Sequence, residues 1–352
     1  MIRSGPDTGL RTGARRLVTV PLALVLVAVA LALLLLGLLT APLTPVVGRR
    51  RRLLRFSGFL LLYLLADLAG VAAACWIWLR CLRPFRGPTD HERLQELSYA
   101  LLARLLTLLH RAATRIFGLR IQVSPPVPAP GRGGALSTPL LVLARHAGPG
   151  DSFLLIHALL CDAGLRPQVI LKQFLRWDPC LDVLISRTPH VFVPSGASGQ
   201  VTADAIGALG KAVGPGHAVV IFPEGGNFTE LRRARAIAWL RRNGFQRRAA
   251  RAQRQHHVLP PRMPGSMALL DGSAGGAADV VFIAHTGLDR LDSLSRIWQG
   301  VPLRAPLVAR WWRVPGADVP TGGAAREEWL TDQWSRVDAW IDEEWDRVGH
   351  PV

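Results

Sequence analysis

The chain has 352 residues, of which 49% are hydrophobic and 19% are charged, and its formal net charge is +17. This balance is too apolar for an ordinary soluble enzyme and indicates segments that lie in a membrane. A strongly basic chain can bind nucleic acid, anionic lipid or an acidic co-substrate, but no nucleic-acid-binding motif is present, so we expect no nucleic-acid partner. None of the four cysteines forms a Cys-x-x-Cys pair, which argues against a zinc site or a disulfide framework.

Two apolar segments open the chain. Residues 17–41 contain no charged side chain, and a helix over them is long enough to cross about 30 Å of hydrocarbon. A cleaved signal peptide is the rival interpretation, but the apolar run is too long and no clear cleavage site follows it. The second segment covers residues 56–79 and is interrupted by Asp67, which we expect to face protein or water. Residues 1–88 are therefore predicted to be membrane-associated.

Arginine clusters flank both apolar segments. Two full spans would place the middle cluster on the opposite face from the outer two, against the tendency of Lys and Arg to stay on the cytoplasmic side. The alternatives are a membrane hairpin, a tilted and half-inserted second helix, or one span followed by an interfacial helix. We expect the catalytic domain on the cytoplasmic face, and the high Ala, Arg and Gly content suggests a bacterial cell membrane. The clusters are Arg3, Arg11, Arg15 and Arg16; Arg49 to Arg52 and Arg55; and Arg80, Arg83 and Arg86.

Residues 89–352 are predicted to form an α/β domain with a mostly parallel sheet flanked by helices. Leucines recur at helical steps across residues 90–117, and a short alternating strand follows at 119–123. Strand and helix patterns then alternate to about residue 310, as in a parallel sheet with crossover helices. Near the end, one helical face carries large apolar side chains that predict core or interfacial packing: Leu330, Trp334, Val337, Ile341 and Trp345.

The most informative stretch is RHAGPGD at residues 145–151, which follows an apolar run at 139–144. The run predicts a buried strand, so His146 stands at a strand end, where α/β proteins place their chemistry. Asp151 is predicted to be the N-cap of the next helix. The Gly-Pro-Gly turn would bring its carboxylate back towards the ring, and a histidine held by a carboxylate can remove the proton from a hydroxyl.

Two further elements lie downstream. Residues 218–222 predict a second buried strand, and Glu224, Gly225, Gly226 and Asn227 form a polar turn at its exit. The glycines would expose backbone N–H groups, although a plain loop with a surface glutamate has the same pattern. The third element, residues 257–266, is a proline-rich irregular segment that carries Arg262 inward.

In order and content, these elements resemble the lysophospholipid acyltransferases related to 1-acylglycerol-3-phosphate acyltransferase. That family carries His-x-x-x-x-Asp and then a Phe-Pro-Glu-Gly-Thr-Arg-like block. The branch that includes the lysocardiolipin acyltransferases adds a Leu-x-Pro-Arg-x-x-Gly-Phe block. The matching stretches here are 146–151, 222–225 and 259–265, and the resemblance extends over residues 110–345. It implies a glycerolphosphate-acyltransferase-like fold.

The resemblance implies a membrane-bound enzyme of phospholipid biosynthesis. It would move a fatty acyl group from acyl-CoA or acyl carrier protein to the free hydroxyl of a lysophospholipid, with 1-acyl-sn-glycerol 3-phosphate as the expected acceptor. His146 would be the general base and Asp151 its partner, while the turn at 224–227 would shape the acceptor pocket. Arg262 would contact a phosphate, and Lys172 is a candidate donor to the oxyanion. No metal or cofactor is expected, since the acyl donor is a co-substrate.

Two positions depart from the family pattern, and both concern phosphate. Asn227 and Ser195 stand where the family usually has arginines that hold the acceptor's phosphate. Neither side chain can form the bidentate, charge-assisted hydrogen bonds of a guanidinium. Lys172, Arg176 and Arg187 are the candidates to compensate. A different lysophospholipid or a glycolipid therefore stays open as the acceptor, and a catalytically silent lipid-binding protein is the alternative from another class.

A basic run follows the second element. Residues 232–262 contain ten arginines and no acidic residue. A solvated helix face is the plain interpretation, whereas attachment to anionic lipid headgroups, worth about 1 kcal/mol per basic residue near the surface, is the functional one. Some of these arginines could instead meet the phosphates of coenzyme A. We expect anionic membrane lipids as partners, beside the lysophospholipid acceptor and the acyl-CoA donor.

Overall fold

The computed structural model describes residues 9–40, 47–81, 89–128, 138–148, 150–194, 200–273, 276–289, 291 and 293–348. Its helices are α1 (Gly9–Leu39), α2 (Val47–Cys81), α3 (Thr89–Phe117), α4 (Asp151–His157), α5 (Pro179–Ile185), α6 (Gln200–Ala212), α7 (Glu230–Arg242), α8 (Gln246–Arg254), α9 (Met263–Gly272), α10 (Leu294–Gly300) and α11 (Gly323–Val348). Its strands are β1 (Ile121–Ser124), β2 (Leu140–Ala144), β3 (Arg166–Lys172), β4 (His190–Val193), β5 (His217–Ile221), β6 (Asp279–Thr286) and β7 (Leu307–Val314).

In this described part of the chain, seven strands form one sheet in the order β1-β7-β6-β2-β5-β3-β4. All neighbouring strands are parallel except β6 and β7. Every residue of the central strand β2 is buried and apolar, as expected for a strand covered by helices on both faces. The predicted mostly parallel sheet is confirmed. Strand β7 is the antiparallel exception because the chain returns at the carboxyl end of β6, where Thr286 pairs with Val308, instead of crossing the sheet.

Alternate residues of β2 enter two hydrophobic layers. Leu141 and Leu143 pack with α6, α9 and α11 on one face of the sheet. Leu140 and Val142 pack on the other face with the segment that follows α4. The predicted packing face of α11 is confirmed as part of the core. Its fully buried members are Leu330, Trp334, Val337 and Ile341, and Trp345 is partly buried.

Helices α1 and α2 pack on each other as a hairpin, and both are long and apolar enough to cross a membrane. Helix α2 also packs on the α/β domain. Phe56 stacks on Trp298 with ring centroids 5.2 Å apart. Further along the helix, Oδ1 of Asp67 accepts the backbone N–H of Cys180 at 2.9 Å. Asp67 therefore faces protein, as predicted.

Both ends of the hairpin contact this domain. At the open end, Arg15 and Arg16 of α1 each bind the buried carboxylate of Asp182 at 2.8 Å. At the closed end, Nε of Arg52 donates to the carbonyl oxygen of Val301 at 3.0 Å. The hairpin therefore lies along the domain rather than projecting away from it. The domain boundary expected at residue 88 lies outside the described residues.

Candidate active site

The predicted functional residues meet at one edge of the sheet. Strands β2, β5 and β3 are parallel, so the loops that follow them leave at the same edge. The first loop carries His146 and Asp151, the second carries the turn at 224–227, and β3 itself ends at Lys172. Arg262 joins them because its side chain packs against the turn at Gly225.

His146 and Asp151 form a hydrogen-bonded pair. Nδ1 of His146 lies 2.9 Å from Oδ1 and 3.0 Å from Oδ2 of Asp151. The buried carboxylate also accepts the backbone N–H groups of Ala147 at 2.8 Å, Gly148 at 3.1 Å and Ser152 at 2.6 Å. Burial alone would raise the pKa of Asp151, but these donors, His146 foremost, hold that pKa below its usual value. Because an ionised carboxylate accepts from Nδ1, the ring proton sits on Nδ1 and the lone pair on Nε2.

Asp151 is not the N-cap of α4, so that prediction is wrong. Gly150 holds the cap position with a φ of 85°, and Asp151 is the first helical residue. The left-handed backbone of Gly150, which glycine adopts without strain, folds the chain so that the carboxylate points back to the turn and to His146. Pro149 of the same turn lies outside the described residues, as does Ser195.

Beneath this pair lies a buried polar layer built around Arg145. Its guanidinium donates to the carbonyl oxygen of His285 at 2.7 Å and forms an ion pair with Asp289. Nε2 of His285 lies 3.1 Å from the carbonyl oxygen of Arg145 and 3.6 Å from Oδ2 of Asp151. Burial lowers the pKa of His285, so this imidazole is neutral. Sequence analysis did not single out His285 or Asp289. A polar pair, His285-Thr286, at the end of the apolar strand β6 is the signal that could have found the histidine.

Glu224 is buried, with 2% of its surface exposed, so the interpretation as a surface glutamate is wrong. Burial raises the pKa of its carboxyl well above the usual value, and the nearby charge of Arg145 opposes that shift. The next residue, Gly225, has a φ of 67°, and a Cβ added there would lie 2.6 Å from Nε of Arg262. Glycine is therefore required both by the backbone conformation and by the close approach of the arginine.

Lys172, Arg232 and Arg262 surround the two glycines, and we call them the cation cluster. A Cβ placed on Gly226 would lie 3.4 Å from Nζ of Lys172 and 3.5 Å from Nη1 of Arg232. Burial lowers the pKa of Lys172, and the charges of Arg232 and Arg262 lower it further. Among the described residues, no carboxylate forms an ion pair with any of the three. Such an excess of positive charge beside a glycine turn favours binding of an anion.

Arg232 was counted in the basic run but was not predicted as a site residue. It lies in the first turn of α7, and its Nη1 donates to the carbonyl oxygen of Asn227 at 2.9 Å. A guanidinium thus stands beside the position at which Asn227 lacks one. The other arginines expected to compensate lie elsewhere: Arg176 is directed to Asp182 at 3.4 Å, and Arg187 faces the hairpin. That part of the expectation is wrong.

Comparisons with known proteins support the fold described above. Residues 120–263 match the family model described as Acyltransferase, a range that contains the His146–Asp151 pair and the cation cluster. The fold is similar to the crystal structure of the 1-acyl-sn-glycerophosphate acyltransferase PlsC from Thermotoga maritima. That likeness has a TM-score of 0.51 at 15% sequence identity and covers 83% of this chain and 97% of that one. No curated protein sequence matches the chain. The branch with the lysocardiolipin acyltransferases stays a prediction.

Proposed function

We propose that this protein moves a fatty acyl group from a thioester to the free hydroxyl of a lysophospholipid, because residues 120–263 match the Acyltransferase family model and the fold is similar to that of PlsC. The observation that carries the proposal is the His146–Asp151 pair beside the cation cluster at one sheet edge. The pair supplies a base that can deprotonate a hydroxyl, and the cation cluster supplies a binding site for a headgroup phosphate.

The pair is suited to general-base catalysis. Nε2 of His146 takes the proton of the acceptor hydroxyl as the hydroxyl oxygen attacks the thioester carbonyl. Asp151 fixes the tautomer and stabilises the imidazolium, and the oxyanion draws on backbone N–H groups of the turn or on Lys172. Collapse of the tetrahedral intermediate breaks the C–S bond, and the thiolate takes the proton back from His146. The base contributes about a hundredfold to ten-thousandfold, and alignment of the two substrates supplies much of the rest. No covalent acyl-enzyme is needed.

The cation cluster favours an acceptor with a phosphate, and 1-acyl-sn-glycerol 3-phosphate is the acceptor we propose. Its monoester carries up to two negative charges, which three cations can match through charge-assisted hydrogen bonds. Arg232, which lies beside Asn227, would bind the phosphate in place of the arginine that the family usually has at position 227. A glycolipid without phosphate would leave this positive charge unmatched, so we place it second.

The donor is proposed to be acyl-CoA or an acyl carrier protein, both of which are anionic. Helices α7 and α8 form the basic run, and α7 begins beside the cation cluster. Exposed arginines of these helices could meet donor phosphates or anionic lipid headgroups. Those without a side-chain partner among the described residues are Arg235, Arg241, Arg242, Arg247 and Arg254.

We further propose that the hairpin lies within one leaflet, with the domain on the cytoplasmic face. A helix that crossed the bilayer would carry one hairpin end to the far side, away from the domain that both ends contact through Arg15, Arg16 and Arg52. A one-sided hairpin also leaves all three arginine clusters on one face, in keeping with the positive-inside tendency. Of the arrangements that the sequence left open, this favours the membrane hairpin.

The test is an assay of purified protein in detergent with radiolabelled acyl-CoA across a panel of lysolipids and glycolipids. Formation of phosphatidic acid from 1-acyl-sn-glycerol 3-phosphate, lost in His146→Ala, supports the proposal. If another lysolipid or a glycolipid is the preferred acceptor, the proposed acyl transfer holds and only the identity of the acceptor changes. Lipid binding without thioester loss for any acceptor or donor would identify a catalytically silent lipid-binding protein and refute it.

A further inference from the structure

Two exposed aromatic side chains lie between the cation cluster and the hairpin. They belong to a 3-10 turn, Gln173–Trp177, that begins directly after Lys172. Phe174 is 58% exposed and Trp177 is 59% exposed. Residues three apart lie above one another in a 3-10 helix, so the two rings share one side of the turn. We call this segment the aromatic turn.

The other side of the aromatic turn is anchored. Arg176 lies over the ring of Phe192, with its guanidinium carbon 4.8 Å from the centroid, and its Nε lies 3.4 Å from Asp182. Asp182 is the same carboxylate that holds Arg15 and Arg16 of α1. The inward contacts thus fix the turn to the domain and leave the two aromatic rings pointing outward.

The hairpin holds the aromatic turn next to its own apolar surface. The hydroxyl of Tyr63 in α2 donates to the carboxylate of Asp178, which directly follows Trp177. One helical turn before Tyr63, Leu60 is 41% exposed. The contact between Tyr63 and Asp178 therefore ties the aromatic turn to a part of α2 that also exposes an apolar side chain.

We propose that Phe174 and Trp177 insert into the interfacial layer of the leaflet that holds the hairpin, and that they form the entrance for the lysolipid. Aromatic rings favour this layer, where one end is apolar and the other is hydrated. Lys172 precedes the turn, so a headgroup that passes the rings meets the cation cluster without leaving the membrane surface. This inference rests on the proposed function for the identity of the entering lipid, but not for the insertion.

Insertion is tested by photocrosslinking the full chain in phosphatidylcholine vesicles that contain a phospholipid with a diazirine near the headgroup end of its acyl chain. Crosslinks are mapped by mass spectrometry. We expect labelled peptides from α1 and from the aromatic turn. Labelling of α1 without the turn overturns the proposal, and so does the absence of label from both, because the hairpin and the turn must share a leaflet.

Entry is tested by kinetics of the variant Phe174→Ser/Trp177→Ser. We expect KM for a long-chain acceptor in vesicles to rise about tenfold through the loss of two membrane-buried aromatic side chains. Turnover of a short-chain acceptor dispersed as monomers should change by less than about twofold, because neither Phe174 nor Trp177 belongs to the His–Asp pair or to the cation cluster. The conservative variant Phe174→Leu/Trp177→Phe should keep the wild-type KM. Equal effects on both acceptors, or no effect on either, overturn the proposal that the two rings form the entrance for the lysolipid. A wild-type protein without turnover on any acceptor refutes the proposed function instead, and crosslinking still decides the insertion.

Discussion

Replacing Arg232 by alanine should weaken binding of a phosphate-bearing acceptor without stopping the chemistry. The guanidinium lies 3.5 Å from the position of a Cβ on Gly226 and is held by the carbonyl oxygen of Asn227. A hydrogen bond to a charged group contributes about 1.5–3 kcal/mol. Arg232 is exposed, and Lys172 and Arg262 remain in the variant, so we take the lower end, which is about tenfold in KM. We expect kcat to change by less than about threefold, since Arg232 contacts neither member of the His–Asp pair.

The assay is steady-state acyl transfer with the acceptor varied at saturating donor. Arg235→Ala is the matched control, because it removes the same charge from an exposed position on the same helix. Adding Asn227→Arg to Arg232→Ala should recover much of the lost affinity, as it returns a guanidinium to the turn. Two results would refute the reasoning: an unchanged KM in Arg232→Ala, or an equal rise in Arg232→Ala and Arg235→Ala. The second result would indicate a general field effect instead of a defined contact.

Three further predictions concern the base, the buried layer and the basic helices. His146→Ala should lower turnover by at least about a hundredfold and leave the circular dichroism spectrum unchanged; wild-type turnover would contradict its role as base. Burial lowers the pKa of His285, so its contribution to stability is complete above the ordinary histidine pKa of about 6.5 and is lost as the pH falls below it. His285→Gln should therefore reduce the fall in thermal unfolding midpoint between about pH 7 and pH 5, and an unaltered slope would contradict this. Arg242→Glu should weaken activation by anionic lipid vesicles more than Lys211→Glu, which makes the same change of charge at the end of α6; equal effects would show that net charge alone decides.

Features encoded by short stretches of sequence could be predicted. The buried strand at 140–144 and the strand at 217–221 are apolar runs that end in polar glycine turns. Parallel strands present their carboxyl ends at one edge, so the meeting of His146 with the turn at 224–227 follows once the sheet is parallel. The packing face of α11 followed from helical periodicity for the same local reason.

Features that depend on distant segments could not be predicted. His285 reaches Asp151 because β6 pairs with β2, a register that no local pattern specifies. Arg232 reaches Asn227 because α7 starts at Glu230, directly after Thr229, whose side chain caps the helix and sets the direction of its first turn. The number of arginines in the basic run predicts its positive charge. It does not predict which guanidinium lies beside Gly225 and Gly226.

The hairpin shows most clearly how a tertiary contact changes the meaning of a local pattern. Composition alone gives two apolar segments, each long enough to span a membrane, and an arginine distribution that two spans cannot satisfy. The contacts of Arg15 and Arg16 with Asp182, and of Arg52 with Val301, place both hairpin ends on one domain. Since Asp182 also binds Arg176 of the aromatic turn, the same carboxylate links the hairpin to the segment that directly follows Lys172. The proposed attachment to the leaflet and the proposed access to the cation cluster therefore depend on one set of contacts, so we expect a variant that loosens the hairpin to alter acceptor use as well as membrane binding.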